Sequence, residues 1–192
     1  MSTPPLTRPS LLVRIRDAGD REAWRQFVDI YAPLVYQFAR RRGLQDADAA
    51  DLSQDVLQAV SGASKRLIYD PQRGTFRAWL YTVARNKLRN FLLARQRRHE
   101  DGDPHLLDEQ PAREETEQWE REYEQRLFNW AAEQVRGCFQ ESTWRAFWIT
   151  AVDGRGALEA ATELGISVGA VYIAKSRVLS RLREEIKRVQ FD

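Results

Sequence analysis

The chain has 192 residues, of which 43% are hydrophobic and 30% are charged, and its formal net charge is +2. This length allows one medium or two small domains, with enough apolar residues for a core. A single cysteine, Cys138, excludes an internal disulfide and a cysteine-rich zinc site, and we expect it to be a small packing residue. There is no apolar run typical of a signal peptide or a membrane span, so we expect a cytoplasmic protein.

The first part of the chain predicts a tail followed by helices. Residues 1–9 are rich in proline, serine and threonine, and we expect them to be disordered. Asp20 is placed to cap a helix in which aromatic and apolar residues recur at helical spacing. Pro33 predicts that a new or kinked helix begins there, because proline disfavours helical geometry at the preceding residue. Gly43, after three arginines, is a natural helix stop.

Residues 46–63 predict a helix with two contrasting faces. Its apolar stripe consists of Leu52, Val56, Leu57 and Val60, and its acidic side consists of Asp48, Asp51 and Asp55, with Gln54 nearby. The acidic side has three interpretations: a metal site, a solvated face, or a docking face for a basic partner. A site for a hard metal needs more converging oxygens, and no second carboxylate motif faces this one in the sequence. On these residues alone, the solvated face and the docking face both stay open.

Residues 65–74 carry the turn signals of a loop, and residues 75–98 predict a basic helix capped by Thr75. Its apolar residues are spaced to face a core, and we expect Trp79 and Phe91 to belong to that core. The other side predicts nucleic-acid binding, because Arg and Lys pair with phosphates and Asn can bond to base edges. This predicted exposed side carries Arg77, Arg85, Asn86, Lys87, Arg89, Asn90, Arg95, Arg97 and Arg98.

The composition changes at His99. Residues 99–118 are acidic, rich in turn formers and poor in apolar residues, which is typical of a linker, and we expect His99 and His105 to be linker residues rather than ligands. Helical spacing returns at Trp119 and predicts the core of a second domain over residues 119–192. No strand-like alternation is found. The sequence therefore predicts an all-α fold with two small helical domains joined by a flexible linker.

Residues 157–183 predict two helices joined by a tight turn. Ala160 and Ala161 allow the helices to approach closely, Gly165 suits a left-handed turn, and Ser167 can cap the second helix. A basic outer face on that second helix completes the pattern of a helix-turn-helix, although an ordinary helical hairpin has a similar pattern. The helical spacing predicts burial of Val171, Ala174, Val178 and Leu182. The residues that then lie wholly or partly outside are Tyr172, Ile173, Lys175, Ser176, Arg177 and Arg181.

In this order, the motifs resemble a bacterial RNA polymerase sigma factor of the extracytoplasmic-function (ECF) type, over roughly residues 10–188. Residues 51–57 are similar to the family's region 2.2, residues 76–86 to regions 2.3 and 2.4, and the helix-turn-helix to region 4.2. Residues 168–179 are similar in particular to members from planctomycete-like bacteria. The resemblance implies a sigma region 2 helical bundle over residues 10–98, a linker over 99–118, and a sigma region 4 over 119–192.

The resemblance also implies a function: binding to core RNA polymerase and promoter-specific initiation of transcription, with no enzymatic activity, metal or cofactor. Region 2 would dock on the clamp helices of the polymerase β′ subunit, region 4 would dock on the β flap, and an anti-sigma factor is a further expected partner. The implied polymerase contacts are Asp48, Asp51, Leu52, Gln54 and Asp55. The implied contacts with the −10 promoter element are Arg77, Asn86, Lys87, Arg89, Asn90, Arg95, Arg97 and Arg98. The implied contacts with the −35 element are Ser167, Ala170, Tyr172, Ile173, Lys175, Ser176, Arg177 and Arg181.

Two alternatives belong to other classes of protein. A stand-alone helix-turn-helix regulator would bind an operator by itself, commonly as a dimer, and it leaves the acidic helix and the basic segment without a role. A metal-dependent nuclease using Asp48, Asp51 and Asp55 would need a second acidic cluster, paired histidines or a glycine loop that holds phosphate, and the sequence offers none of these. The sigma factor is the interpretation we favour.

Overall fold

The computed structural model describes residues 11–64, 75–96 and 113–189, and every regular element within these ranges is helical. The predicted all-α fold is confirmed. Helix α1 spans Leu11–Arg14, α2 Arg21–Arg41, α3 Asp46–Ser64 and α4 Phe76–Gln96. Helix α5 spans Arg113–Arg136, α6 Glu141–Phe147, a π-helical turn Trp148–Val152, α7 Ala157–Leu164 and α8 Val168–Val189.

Contacts divide the chain into two compact units, and the division falls inside α5. The first unit extends to Arg126 and the second comprises Leu127–Val189. Residues 113–118, predicted to belong to the linker, and Trp119, predicted to belong to the second domain, instead lie in a helix of the first unit. The predicted tail over residues 1–9, the loop over 65–74, and the linker residues His99 and His105 lie outside the described residues.

Aromatic side chains from α2 and α5 meet in the core of the first unit. Tyr31 of α2 stacks on Tyr123 of α5, with the ring centroids 5.7 Å apart. Trp119 of α5 packs edge-on against Phe38 of α2, also at 5.7 Å. Trp119, Tyr123 and Phe38 are all buried. The first part of α5 is thus held by apolar packing, the dominant favourable term in folding, and not by charge alone.

Pro33 lies inside α2 and does not begin a new helix, so of the two predicted forms only a kinked helix stays a prediction. A proline within a helix removes one hydrogen bond, which would leave the carbonyl of Asp29 without its usual donor. The guanidinium of Arg126 takes that place: its Nη2 donates to the Asp29 carbonyl at 2.9 Å and its Nε at 3.3 Å. An arginine on α5 therefore compensates for the missing backbone donor of α2.

Three of the side-chain caps predicted from the sequence are confirmed, those at Asp20, Thr75 and Ser167. An Asp20 carboxylate oxygen accepts the backbone N–H of Ala23 at 2.9 Å. The hydroxyl oxygen of Thr75 accepts the N–H of Ala78, and that of Ser167 accepts the N–H of Ala170, both at 3.1 Å. Each of these bonds satisfies a donor that the first turn of a helix leaves unpaired.

The corner between α7 and α8 has the predicted geometry. Gly165 adopts a left-handed conformation with φ 65° and ψ 33°, and the partly buried Ile166 packs against the core of the second unit. The buried cluster that Ile166 contacts consists of Ala146, Ile149, Ala160, Ala161, Val171 and Ala174. Cys138 does not join it: it lies in the turn after α5, where its side chain is exposed, so its predicted packing role was wrong.

Gly165→Ala should destabilise the second unit by about 1–2 kcal/mol, the cost of a left-handed conformation for a residue with a Cβ. Apart from its two chain neighbours, no heavy atom of the described residues lies within 4 Å of the position that this Cβ would take, so the cost comes from the backbone and not from a clash. Gly137→Ala is the matched control, because Gly137 has equal space without a positive φ. Hydrogen exchange of the α8 amides should become faster only in the first variant; equal rates in both would contradict the argument.

Candidate functional site

Helix α3 presents an acidic face on the first unit. Asp51, Gln54 and Asp55 are exposed and Asp48 is half-buried, while Val56 and its apolar neighbours face the core. None of the three aspartates has an ion pair within the described part of the chain. Within the same ranges, no three residues of the His, Cys, Asp and Glu types are grouped so that they could hold a metal ion. The acidic face, as we call Asp48, Asp51, Gln54 and Asp55, is thus open to a partner.

Leu52 does not belong to that face, although it was expected to contact polymerase. Its side chain is 2% exposed, since it lies on the apolar stripe of α3 with Val56 and Val60. A side chain buried in this way fixes how α3 lies on the unit and cannot contact a partner directly. The expectation for Leu52 is therefore corrected to a packing role.

Helix α4 presents a polar stripe formed by Arg85, Asn86, Arg89 and Asn90. Asn86, Arg89 and Asn90 are exposed and Arg85 is half-buried. The spacing of three and four residues places these side chains next to each other on one side of the helix. Neither arginine has an ion pair within the described ranges, so both guanidinium groups can bind an anion. We call these four residues the α4 stripe.

The other predicted −10 contacts lie elsewhere on α4 or outside the described residues. Lys87 is half-buried, and Arg95 is exposed near the end of the helix. Neither forms an ion pair in the part of the chain that the structure describes. Arg97 and Arg98 lie outside the described residues. Trp79 and Phe91, expected in the core, are half-buried.

Arg77 is not on the exposed side of α4, so its predicted placement was wrong. Its side chain is 19% exposed, and Nη1 lies 3.1 Å from a carboxylate oxygen of Glu120. Its guanidinium carbon lies 4.9 Å from the centre of the Tyr123 ring. The reason is its position, because Arg77 lies on the same face of α4 as the buried residues Tyr81 and Leu88. It faces α5 and not solvent.

Acidic residues of α5 also pair with two arginines at the end of α2, a feature that was not predicted. Glu115 lies 2.6 Å from Arg42, and Glu122 pairs with Arg41. Glu115 further accepts a hydrogen bond of 2.9 Å from the hydroxyl of Tyr81. Burial, and then this carboxylate, raise the pKa of the Tyr81 hydroxyl. The sequence signal was the row of glutamates beside aromatic residues at the start of α5.

Helices α7 and α8 form the predicted helix-turn-helix in the second unit, with a bend of 103° between them. Ala160 and Ala161 of α7 pack against Val171 and Ala174 of α8, so one side of α8 is buried. The predicted outward residues Ser167, Tyr172, Ile173, Ser176 and Arg177 are exposed, and Ala170 is half-buried. The first half of α8 therefore carries a mixed polar and apolar surface.

Two of the predicted −35 contacts already have partners on their own chain. The Lys175 ammonium donates to the backbone carbonyl of Thr150, in the π-helical turn, at 3.3 Å. Arg181 pairs with Glu184 at 3.2 Å and with Glu185 at 3.5 Å. Arg177, by contrast, has no ion pair in the described ranges. Of these three cations, Arg177 is the one that can bind a new anion or base edge without losing a contact.

No single helix of the described part of the chain is both long and apolar enough to cross a membrane. Helices α7 and α8 meet those criteria only when taken together across their bend, and only by length and composition.

The sequence that forms these surfaces matches a known protein family. The sequence profile of sigma-70 region 2 matches residues 27–98, which include the acidic face and the α4 stripe. RNA polymerase sigma factor CnrH of Cupriavidus metallidurans is 30% identical over 169 residues, covering 86% of this chain and 87% of that protein. ECF RNA polymerase sigma factor RpoE of Cereibacter sphaeroides is 32% identical over 78 residues, covering 41% of this chain and 42% of that protein.

One solved structure is that of CnrH in complex with the cytosolic domain of CnrY. It is 25% identical, covers 92% of this chain and 95% of that one, and gives a TM-score of 0.37. The sequence match to CnrH extends over both units, and the region 2 profile covers α3 and α4. The chain therefore belongs to the RNA polymerase sigma factors of the ECF type, and it is a sigma factor for transcription initiation.

Proposed function

We propose that the three surfaces divide the work of a sigma factor between them. The acidic face of α3 binds core RNA polymerase, the α4 stripe binds the −10 promoter element, and the exposed half of α8 binds the −35 element. The observation that carries this proposal is the presence of two faces of opposite charge on α3 and α4 of one unit, neither of which forms an ion pair within the described ranges. A protein that only bound DNA would need the cationic one alone.

At the −10 element, the α4 stripe suits a melted strand. Asn86 and Asn90 lie one turn apart, and each amide can both donate to and accept from a base edge. Arg85 and Arg89 lie beside them and can pair with phosphates, which fixes the register without reading sequence. Lys87 and Arg95 offer further phosphate contacts. Extruding a base costs on the order of a few kcal/mol, which these contacts would offset.

At the −35 element, α8 enters the major groove with its first half, the usual geometry of a recognition helix. Ser176 and Arg177 carry the polar groups that can bond to base edges, and Ser167 lies at the start of the helix. Each unit offers only a small DNA surface. We therefore expect the free protein to bind promoter DNA weakly, with affinity arising when polymerase holds both surfaces at the right spacing.

The partners follow from these surfaces and from the relatives. The second unit would dock on the β flap of polymerase while α3 docks on the β′ clamp helices. CnrH, a relative of this chain, has been solved in complex with the cytosolic domain of CnrY. We propose that a regulatory protein of the anti-sigma class likewise binds this chain. We also propose that the chain itself works in the cytoplasm and catalyses no reaction. The narrower resemblance to planctomycete-like members, based on residues 168–179, stays a prediction.

The domain limits are part of the proposal. Sigma region 2 over residues 10–98 agrees with the region 2 match to residues 27–98. The limit between the linker and region 4, predicted at residue 119, is better placed inside α5, because Trp119 and Tyr123 are buried beside aromatic residues of α2. A stand-alone regulator, the alternative raised by the sequence, would instead bind a palindromic site without polymerase.

The test is co-elution with core RNA polymerase, followed by run-off transcription from a pool of genomic fragments. Stoichiometric co-elution and new, sequence-selective transcripts would support the proposal. Binding of a palindrome by the free protein, without co-elution, would favour the regulator.

Arg85→Ala combined with Arg89→Ala should leave polymerase binding intact while weakening the holoenzyme–promoter complex. Losing two phosphate contacts should reduce the slope of log affinity against log salt by about two. Arg21→Ala with Arg121→Ala is the matched control, since both arginines are exposed and lack ion pairs in the described ranges. An equal effect of the two double variants would contradict a specific role for the α4 stripe.

A further inference from the structure

Two large apolar side chains lie side by side on the outward face of α8. Tyr172 and Ile173 are each 62% exposed, while the neighbouring Val171 and Ala174 are buried against α7 and α6. The packing face of α8 is therefore complete without them. Apolar surface left in water is unfavourable, so a partner that covers these side chains gains free energy. What the partner offers at that point has to be apolar.

Ile173 is the more informative of the two residues. The hydroxyl of Tyr172 can bond to a phosphate or a base edge, whereas the side chain of Ile173 has only hydrocarbon groups. In the major groove, the four base pairs present donors, acceptors and one kind of apolar group, the methyl group of thymine. A helix that inserts its first turns into this groove can therefore satisfy an isoleucine only at a thymine.

We propose that Ile173 is a specificity residue that selects a thymine in the upstream promoter element through its methyl group. This inference rests on the proposed binding of α8 to the −35 element. Arg177 follows Ile173 by one helical turn, so it faces the same groove and can bond to a neighbouring guanine. The pair thus reads one apolar and one polar base feature at adjacent points of the site.

Leu158 provides the matched control. It is 72% exposed, but it lies on α7, the first helix of the motif, which crosses the DNA backbone and does not enter the groove. An apolar side chain there meets sugars and phosphates and cannot distinguish bases. Since Ile173 and Leu158 are both largely exposed, replacing either with alanine should leave the fold intact, which a thermal melt of each variant checks.

The experiment replaces single thymines by deoxyuridine, which removes the methyl group and keeps the base pair. The upstream element is first selected by run-off transcription from a library of promoters with a randomised upstream segment. Each of its thymines, on both strands, is then replaced in turn. With the wild-type holoenzyme, one replacement should lower promoter affinity about fourfold, as expected for one buried methyl group. Ile173→Ala should abolish that difference, and Leu158→Ala should retain it.

The outcomes separate this inference from the proposed function. If no deoxyuridine has an effect while Arg177→Ala still weakens the promoter complex, α8 binds the element but Ile173 reads no methyl group, and the inference is wrong. A selected element without thymine on either strand overturns it equally. If neither Ile173→Ala nor Arg177→Ala changes affinity or sequence preference, the assignment of α8 to the −35 element is itself wrong.

Discussion

Trp119→Ala should lower the free energy of unfolding of the first unit by about 3–5 kcal/mol, the usual cost of deleting a buried aromatic side chain. Trp119 is 1% exposed, and its ring centroid lies 5.7 Å from that of Phe38 and 5.5 Å from that of Tyr81. These two rings belong to α2 and α4, so the cavity would open between helices that cannot both move in to fill it. Since small domains have only about 5–15 kcal/mol of stability, the loss is large.

Native-state hydrogen exchange of the full chain can localise this effect. Amides of α2 and α4 should exchange faster in Trp119→Ala, whereas amides of α7 and α8 should keep their rates. Trp119→Phe is the matched control: it keeps an aromatic ring and removes an indole N–H that is buried without a hydrogen-bond partner among the described residues. Most of the protection should survive in this control. Faster exchange confined to α6–α8 would contradict the assignment of Trp119 to the first unit.

The helix-turn-helix could be predicted residue by residue because its determinants are local. The backbone conformation of Gly165 follows from its own lack of a side chain, and the cap at Ser167 joins residues only three positions apart. The burial of Val171 and Ala174 follows from helical spacing against small residues of α7. Tyr172 and Ile173 were accordingly predicted to be exposed, and they are.

The placement of Arg77 could have been predicted in part. Its spacing puts it on the same face of α4 as Tyr81 and Leu88, and a charged residue in an apolar stripe requires a partner. The sequence could not identify that partner, because Glu120 lies on another helix and many glutamates precede it. The predicted set of exposed cations on α4 therefore wrongly included Arg77.

The continuity of α2 through Pro33 could not be predicted from local rules. The carbonyl of Asp29 is satisfied by Arg126, which lies 97 positions away in the sequence. Local preference correctly reports the cost of proline in a helix, but it does not include a donor supplied by tertiary structure. The same reason explains why Trp119 was assigned to the wrong core: periodicity predicts that a residue is buried, but not against which helix.

The pairing by α5 has a consequence for the nucleic-acid surface. Arg41, Arg42 and Arg77 all face glutamates of α5, so they contribute little to attraction of phosphates while α5 stays in place. Arg85 and Arg89 have no such partner in the described ranges. The formal net charge of +2 describes the whole chain, whereas attraction of DNA to the α4 stripe depends on the local charge at that stripe.

Asp51→Arg combined with Asp55→Arg should weaken binding to core RNA polymerase on the order of a hundredfold, because like charges brought together at an interface cost several kcal/mol. The helix itself should persist. The two aspartates are already like charges one turn apart, so the two arginines add no new repulsion within the helix, and arginine has a higher helix propensity than aspartate. Acidic residues are favoured in the first turn of a helix, and both positions lie beyond the first turn of α3. Both aspartates are exposed, so no core contact is lost.

Binding is measured by titration of labelled polymerase at several salt concentrations, with circular dichroism as the check on folding. The matched control is Glu124→Arg with Glu133→Arg: both glutamates are exposed on α5, lack ion pairs in the described ranges, and give the same change in net charge. The control should keep wild-type affinity, and wild-type affinity should fall as salt screens the acidic face. If both double variants bind polymerase equally well, α3 does not dock through its acidic face.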